Sequence, residues 1–277
     1  MKIAITGGKG GTGKSTVATA IASELAKTKK ILLLDMDVDC PNDDLILGIK
    51  QKKSADVENM IPKFDFDKCI KCGKCSSVCR EHAIVFVPGK NPILIPEQCT
   101  GCGACKIACP AGAISKSKQK IGEIFKGKKG NITLVSGRMK AGVEESSLIV
   151  NAVKRHVKCM EKDFDHVLID TAAGTHCPVI AALMGTEIGI AVTEPTPLGA
   201  HDMDLILELM KELGISSKIV LNRSDIADNK IIHNIAKKRN IPLIAEIPYS
   251  KEIAKNYSNG KSIEHPAINK IINEVSL

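Results

Sequence analysis

The chain has 277 residues, 44% of them hydrophobic, with 11 cysteines, which is room for one substantial α/β core and a small added module. Its net charge of +8 is uneven: between Lys50 and Lys140 stand 18 Lys+Arg against 7 Asp+Glu, a balance of +11 that leaves −3 for the rest. No run approaches the ~20 apolar residues of a membrane span and Met1–Thr6 opens no charged leader, so a cytoplasmic protein with no membrane anchor is expected; with 3% aromatic residues and none interleaving the lysines, no nucleic-acid partner is expected either.

Ile3-Ala4-Ile5 reads as a short strand. A Gly-rich loop follows, and then Ser15 to Lys27 with Val17, Ile21 and Leu25 at helical spacing. Ile31-Leu32-Leu33-Leu34-Asp35 is a continuous apolar run of the kind buried on both faces of a parallel sheet. Ile132–Val135 precedes a helix expected from about Glu144 to Cys159. Further strands are expected at His166–Asp170, Ile188–Thr193, Ile219–Leu221 and Leu243–Ala245, with helices at Asp202–Leu213, Asp228–Arg239 and Ser250–Tyr257 between and after them. This alternation predicts an α/β fold with a doubly wound, mostly parallel sheet.

A cysteine-bearing segment interrupts that rhythm. Ile61-Pro62 and Lys126–Gly130 read as its linkers, and the expected division is residues 1–61, an insert at 62–118, and 119–277. Inside it, Ala83–Val87 and Pro92–Ile95 flank Pro88-Gly89-Lys90-Asn91 like a hairpin. The two halves repeat, Cys79-Arg80-Glu81-His82-Ala83-Ile84 matching Cys109-Pro110-Ala111-Gly112-Ala113-Ile114.

Gly8 through Ser15 fits G-x4-G-K-[ST]. Such a loop, here Gly8, Lys9, Gly10, Gly11, Thr12, Gly13, Lys14, Ser15 and then Thr16, turns successive N–H groups toward phosphate oxygens at a helix N-terminus. Lys14 reaches the outer phosphates and Ser15 sits on Mg²⁺. With Lys9 directly after the first glycine, the loop resembles the deviant Walker A sequence of the MinD, ParA and Mrp family of P-loop ATPases, over roughly residues 1–56 and 130–277. The resemblance implies ATP and Mg²⁺ as ligands, and Lys9 crossing a dimer interface to the partner's nucleotide. Asp35-Met36-Asp37-Val38-Asp39 resembles switch I, with Asp37 orienting the attacking water and sensing Mg²⁺. His166–Asp170 with Thr171-Ala172-Ala173-Gly174 resembles Walker B and switch II, with Asp170 on the metal and Gly174 near the γ-phosphate. Asn222-Arg223 and Pro248-Tyr249, each after a strand, fall where the family holds adenine. Unlike the cell-division members, whose terminal helix is basic and membrane-binding, Ile268–Val275 carries little positive charge and is expected to dock on the core.

Cysteines in a cytoplasmic chain point to metal or redox cofactors rather than disulfides. Cys69-x2-Cys72-x2-Cys75-x3-Cys79 and Cys99-x2-Cys102-x2-Cys105-x3-Cys109-Pro110 resemble the runs of a two-cluster bacterial ferredoxin. That resemblance implies an α+β ferredoxin-like insert with two [4Fe-4S] clusters, one on Cys69, Cys72, Cys75 and Cys109, the other on Cys99, Cys102, Cys105 and Cys79. Zinc is the alternative occupant, disfavoured by two such dense runs with a hairpin between. Arg80 stands where proline usually follows the fourth cysteine, which predicts a more exposed or differently poised cluster. Cys177 lies seven residues beyond Asp170, the separation at which the nitrogenase iron protein, a relative of this family, carries the ligand of a cluster bridging two subunits. It is a candidate bridging ligand, set against the plainer reading of a buried small cysteine. Cys40, Cys159 on a helix, and His176 in a solvated loop carry weaker cases.

The whole chain resembles MinD-superfamily ATPases with an inserted ferredoxin domain. The function this implies is ATP hydrolysis with nucleotide-driven dimerisation, as a homodimer or with a paralogue, coupled to electron delivery to a redox partner; the basic insert suits an acidic one. A cluster-assembly carrier and a positioning ATPase with structural clusters are the two alternatives.

Overall fold

The computed structural model of the chain describes residues 1–260 and 263–275. Short apolar runs rich in Ile, Leu and Val become strands because only a sheet sandwiched between helices can bury both of their faces. In chain order the strands are β1 (Lys2–Thr6), β2 (Ile31–Met36), β3 (Gln51–Phe64), β4 (Ile84–Val85), β5 (Ile93–Leu94), β6 (Ile114–Lys129), β7 (Ile132–Met139), β8 (His166–Thr171), β9 (Ile188–Thr193), β10 (Ser216–Asn222) and β11 (Leu243–Ile247). The helices are α1 (Lys14–Leu25), α2 (Asp43–Leu47), α3 (Lys74–Ser77), α4 (Ala104–Ala108), α5 (Ser147–Val157), α6 (Cys177–Leu183), α7 (Pro197–Glu212), α8 (Lys230–Arg239), α9 (Lys251–Ser258) and α10 (Pro266–Glu274).

One large sheet has the order β11-β10-β9-β1-β8-β2-β7-β6-β3. Its first seven strands run parallel, and β6 and then β3 are added by antiparallel pairings, so the expectation of a doubly wound, mostly parallel sheet holds. β2 is buried over its whole length. Side chains of α5, α6, α7 and α8 cover one face, and those of α1 and α10 the other. Val17, Ile21 and Leu25 are buried as their spacing predicts, and Ala18 and Ala22 beside them let α1 lie close on the strands. Ile268 and Ile271 are buried where α10 packs on α1 and β11, the docked terminal helix expected. No described helix is long and apolar enough to cross a membrane.

The linkers read from Ile61-Pro62 and Lys126–Gly130 are corrected. Both lie in paired strands, save Gly130, which turns the chain from β6 into β7 with φ +56°. β3 and β6 pair from Gln51 opposite Gly127 to Phe64 opposite Ile114. β7 reaches only as far as Gly122, so the outer half of this ribbon projects beyond the sheet body as a two-stranded arm. Lysines hide its strand pattern because a projecting ribbon is wet on both faces, and Pro62 is tolerated because β3 is an edge strand. The expected boundaries at 61/62 and 118/119 cut this arm at one level, Ile61 standing opposite Ser117 and Met60 opposite Lys118.

At its tip Asp65 N–H donates to the Ala113 carbonyl at 2.8 Å, closing off residues 66–112. There α3, α4 and the short β4–β5 hairpin surround a small core of Cys75, Ile84, Cys105 and Ile114. Other differences are local. α7 starts at Pro197, not Asp202, because Thr196 Oγ1 accepts from Gly199 N–H at 3.0 Å and proline fits the first turn. Cys159 lies beyond the end of α5 rather than on it.

Candidate functional site

Parallel strands bring the loops after β1, β2, β8, β9 and β10 to one edge of the sheet, where a doubly wound fold binds ligands. The loop after β1 is shaped by contact on both sides. A Cβ on Gly8 would lie 2.2 Å from the Asp202 carbonyl oxygen, so α7 permits only glycine there. Gly13 has φ +95°, and a Cβ would meet Asn222 Nδ2 at 2.2 Å. That amide donates to the Thr12 carbonyl at 2.8 Å, tying the end of β10 to the loop. Lys14 Nζ curls back onto the Lys9 carbonyl at 3.2 Å. Burial pushes its ammonium below the ordinary lysine range, while Asp170 and Asp37 oppose the shift.

A cavity of about 400 Å³ opens over the loop, walled by Gly10, Gly11, Gly13, Lys14, Ser15 and Thr16, by Asp37 and Asn42, and at its far end by Asn222, Arg223, Pro248 and Tyr249. Of the predicted residues, Gly10, Gly11, Gly13, Lys14, Ser15, Thr16, Asp37, Asn222, Arg223 and Pro248 thus line one space, whereas Gly8, Lys9 and Thr12 do not. Asp170 lies behind it, 1% exposed; burial raises its carboxyl to about 7 although Ser15 and Lys14 draw it down. Burial also raises Asp37. Gly174, with φ +99°, packs on His176 beyond the wall. His176 is exposed and precedes α6 as its N-cap, a solvated loop residue as expected.

Two residues here were absent from the sequence reading. Asp43, at the start of α2, is fully buried with both carboxylate oxygens unbonded. Its oxygen lies with those of Asp35 and Asp170 within 4.8 Å, a hard-oxygen group suited to Mg²⁺. Burial, then Asp35, push the Asp43 carboxyl well up. Asp35 itself is spoken for, accepting from Asn42 N–H at 2.9 Å and Asp43 N–H at 3.1 Å. Glu194, directly after β9, is buried and pairs with both Lys9 Nζ and Arg223 Nη1, the latter at 3.3 Å. For Glu194 the available signal was an acidic residue directly at a buried strand's carboxyl end; Asp43, at the start of α2 and seven residues beyond β2, carried no such mark.

At the arm's tip the eight cysteines of the two runs fall into two groups. One hollow is walled by Cys69, Cys72, Cys75 and Cys109, and another by Cys79, Cys99, Cys102 and Cys105. In each half the third cysteine is buried and the second exposed. All eight thiols are free, and a set of four soft sulfurs around a hollow fits a thiolate-ligated iron cluster. Burial pushes Cys75, Cys99 and Cys105 up, so metal binding there must displace protons. The repeat extends to the backbone. Gly101 and Gly112 have φ +77° and +60°, and their counterparts Lys71 and His82 are held at +55° and +51°; non-glycine residues adopt this left-handed region only where surroundings enforce it. Asn59 Nδ2 donates to the Cys99 carbonyl at 2.7 Å, so the second group packs against the arm. Cys177 and Cys40 are exposed, which corrects the buried reading of Cys177.

The model of the CobQ/CobB/MinD/ParA nucleotide-binding domain family matches residues 3–263, and the chain belongs to that family. Two uncharacterized proteins of Methanocaldococcus jannaschii are similar to it: one is 34% identical over 278 residues, covering 100% of this chain and 96% of the relative, the other 34% identical over 248 residues, covering 90% and 86%. The septum site-determining protein MinD of Pyrococcus horikoshii, solved with Mg-ADP, superposes with a TM-score of 0.63 at 20% identity, covering 99% of this chain and 95% of that one. That likeness speaks to the fold.

Proposed function

We propose that the protein is an ATP-binding and ATP-hydrolysing iron–sulfur protein that dimerises around nucleotide and passes electrons through two [4Fe-4S] clusters to a partner protein. The observation that carries the reading is the gathering of eight cysteines, four and four, at the tip of an arm whose base is sheet-paired beside the nucleotide loops. Lys14 and the loop amides would take the phosphates. Ser15, Asp37 and Asp170 would hold Mg²⁺, and Asn222, Arg223 and Pro248 would take adenine. Lys9 would act in the partner's site, within a homodimer or with a paralogue. Bound clusters would supply one-electron chemistry; the thiolates that hold them and the cationic arm around them belong to this chain, and the arm suits an acidic partner. Cys177 stands as an exposed candidate ligand for a shared cluster. Anaerobic reconstitution followed by iron, sulfide and ATP-turnover analysis tests the reading: about eight irons per chain and ATP hydrolysis are expected, and stoichiometric zinc without iron overturns it.

A further inference from the structure

Three cations meet two acceptors at the mouth of the P-loop. Lys14 Nζ sits on the Lys9 carbonyl at 3.2 Å, Lys9 Nζ on Glu194, and Arg223 Nη1 on the second Glu194 oxygen at 3.3 Å. The Glu194 side chain is only 7% exposed, and a buried carboxylate needs its cations. Its loop is built to stay put. Thr193 Oγ1 donates to the Gly199 carbonyl at 2.9 Å, and a Cβ on Gly199 would lie 2.5 Å from the Glu194 carbonyl oxygen. Lys9 is thereby turned inward, held at its backbone by Lys14 and at its ammonium by Glu194.

We propose that Glu194 is a latch that keeps Lys9 within its own protomer, and that nucleotide opens it; this rests on the reading of Lys9 as a residue that acts in the partner's site. Phosphate would take Lys14 from the Lys9 carbonyl, because an anion with several oxygens outcompetes one carbonyl for an ammonium. Adenine bound beside Arg223 would engage the other cation of the pair. With its backbone anchor gone, Lys9 is held by Glu194 alone, and a second nucleotide-loaded copy offers it a phosphate instead. Glu194 therefore opposes dimerisation before nucleotide binds and links the phosphate end of the cavity to its base end.

Two measurements on the full chain test this. Acylation of Lys9 by an amine-reactive ester, read by mass spectrometry without nucleotide, should be about fivefold or more faster in Glu194→Gln than in wild type, a coupling of the usual size. Glu194→Asp, which keeps the charge and shortens the reach, should behave alike. Sedimentation should then show either variant dimerising at a correspondingly lower concentration of a non-hydrolysable ATP analogue. Unchanged labelling of Lys9 in both variants overturns the latch, as does weaker dimerisation, which would put Glu194 in the dimer contact. Lys9→Ala separates the two ideas: if it dimerises as wild type does, the action of Lys9 in the partner's site fails, while the labelling result still reports on the latch.

Discussion

The carbonyl of Val38 accepts a hydrogen bond from Met139 N–H at 2.9 Å, joining the loop that carries Asp37 to the end of β7. The next residue, Lys140, donates its N–H to the Ile121 carbonyl of β6 at 2.9 Å. Two consecutive residues therefore bridge the nucleotide loop and the base of the arm. Gly137 makes this contact tight, since a Cβ there would lie 2.8 Å from Val38 Cγ1 and 2.9 Å from Ile149 Cγ2. Gly137→Ala should overpack the joint at a cost of about 1–3 kcal/mol. Thermal unfolding should show a drop of several degrees; an unchanged midpoint would mean that the joint yields freely.

Lys14→Ala should abolish nucleotide binding, because its ammonium is the cation that the cavity floor presents to phosphate. Lys9→Ala should bind nucleotide nearly as wild type does and dimerise poorly. Asp37→Ala should bind ATP, hydrolyse it slowly and remain dimeric. Calorimetry and sedimentation on the three variants check these outcomes, and a Lys14 variant with wild-type affinity would remove the P-loop reading.

The buried carboxylates make stability depend on pH. Asp170 is raised to about 7, and Asp35 and Asp43 are raised as well, so the folded chain holds their protons more tightly than the unfolded chain does. Their stabilisation is complete below about pH 4, the range of an unfolded carboxyl, and is lost as pH rises through the raised folded values, which for Asp170 is about 7. Nucleotide-free protein should therefore lose stability across that interval, and Asp43→Asn, neutral at every pH, should flatten the slope. Melting curves from pH 5 to pH 8 test this; parallel slopes for wild type and variant would contradict it.

The grouping of the cysteines predicts which losses coincide. Cys109→Ser should remove the same four irons as Cys69→Ser, and Cys79→Ser the same four as Cys99→Ser, because each fourth cysteine walls the hollow of the other run. Iron analysis with paramagnetic resonance of the reduced variants decides it. Loss of one signal by Cys69→Ser and of the other by Cys109→Ser would refute the crossed pairing.

Much of the body was legible in the sequence because burial on both faces leaves a plain trace: Ile31–Leu34 can be little else than a central strand. The P-loop and the cysteine runs were legible because their chemistry fixes residue type and spacing together. The arm was not. In β6 the side chains of Lys116, Lys118 and Lys120 meet water, and no apolar alternation marks them as strand. Asp43 and Glu194 escaped for another reason, since their importance lies in burial and in partners distant along the chain, Lys9 being 185 residues from Glu194.

The central claim is that nucleotide and clusters are coupled through the Val38–Met139 joint and the arm, and an anaerobic redox titration with and without a non-hydrolysable ATP analogue measures it most directly. Coupling of about 1–3 kcal/mol predicts a shift of roughly 40–130 mV in the midpoint of at least one cluster, and a matching change in nucleotide affinity between oxidised and reduced protein. Superimposable titration curves, with nucleotide affinity indifferent to redox state, would contradict the account.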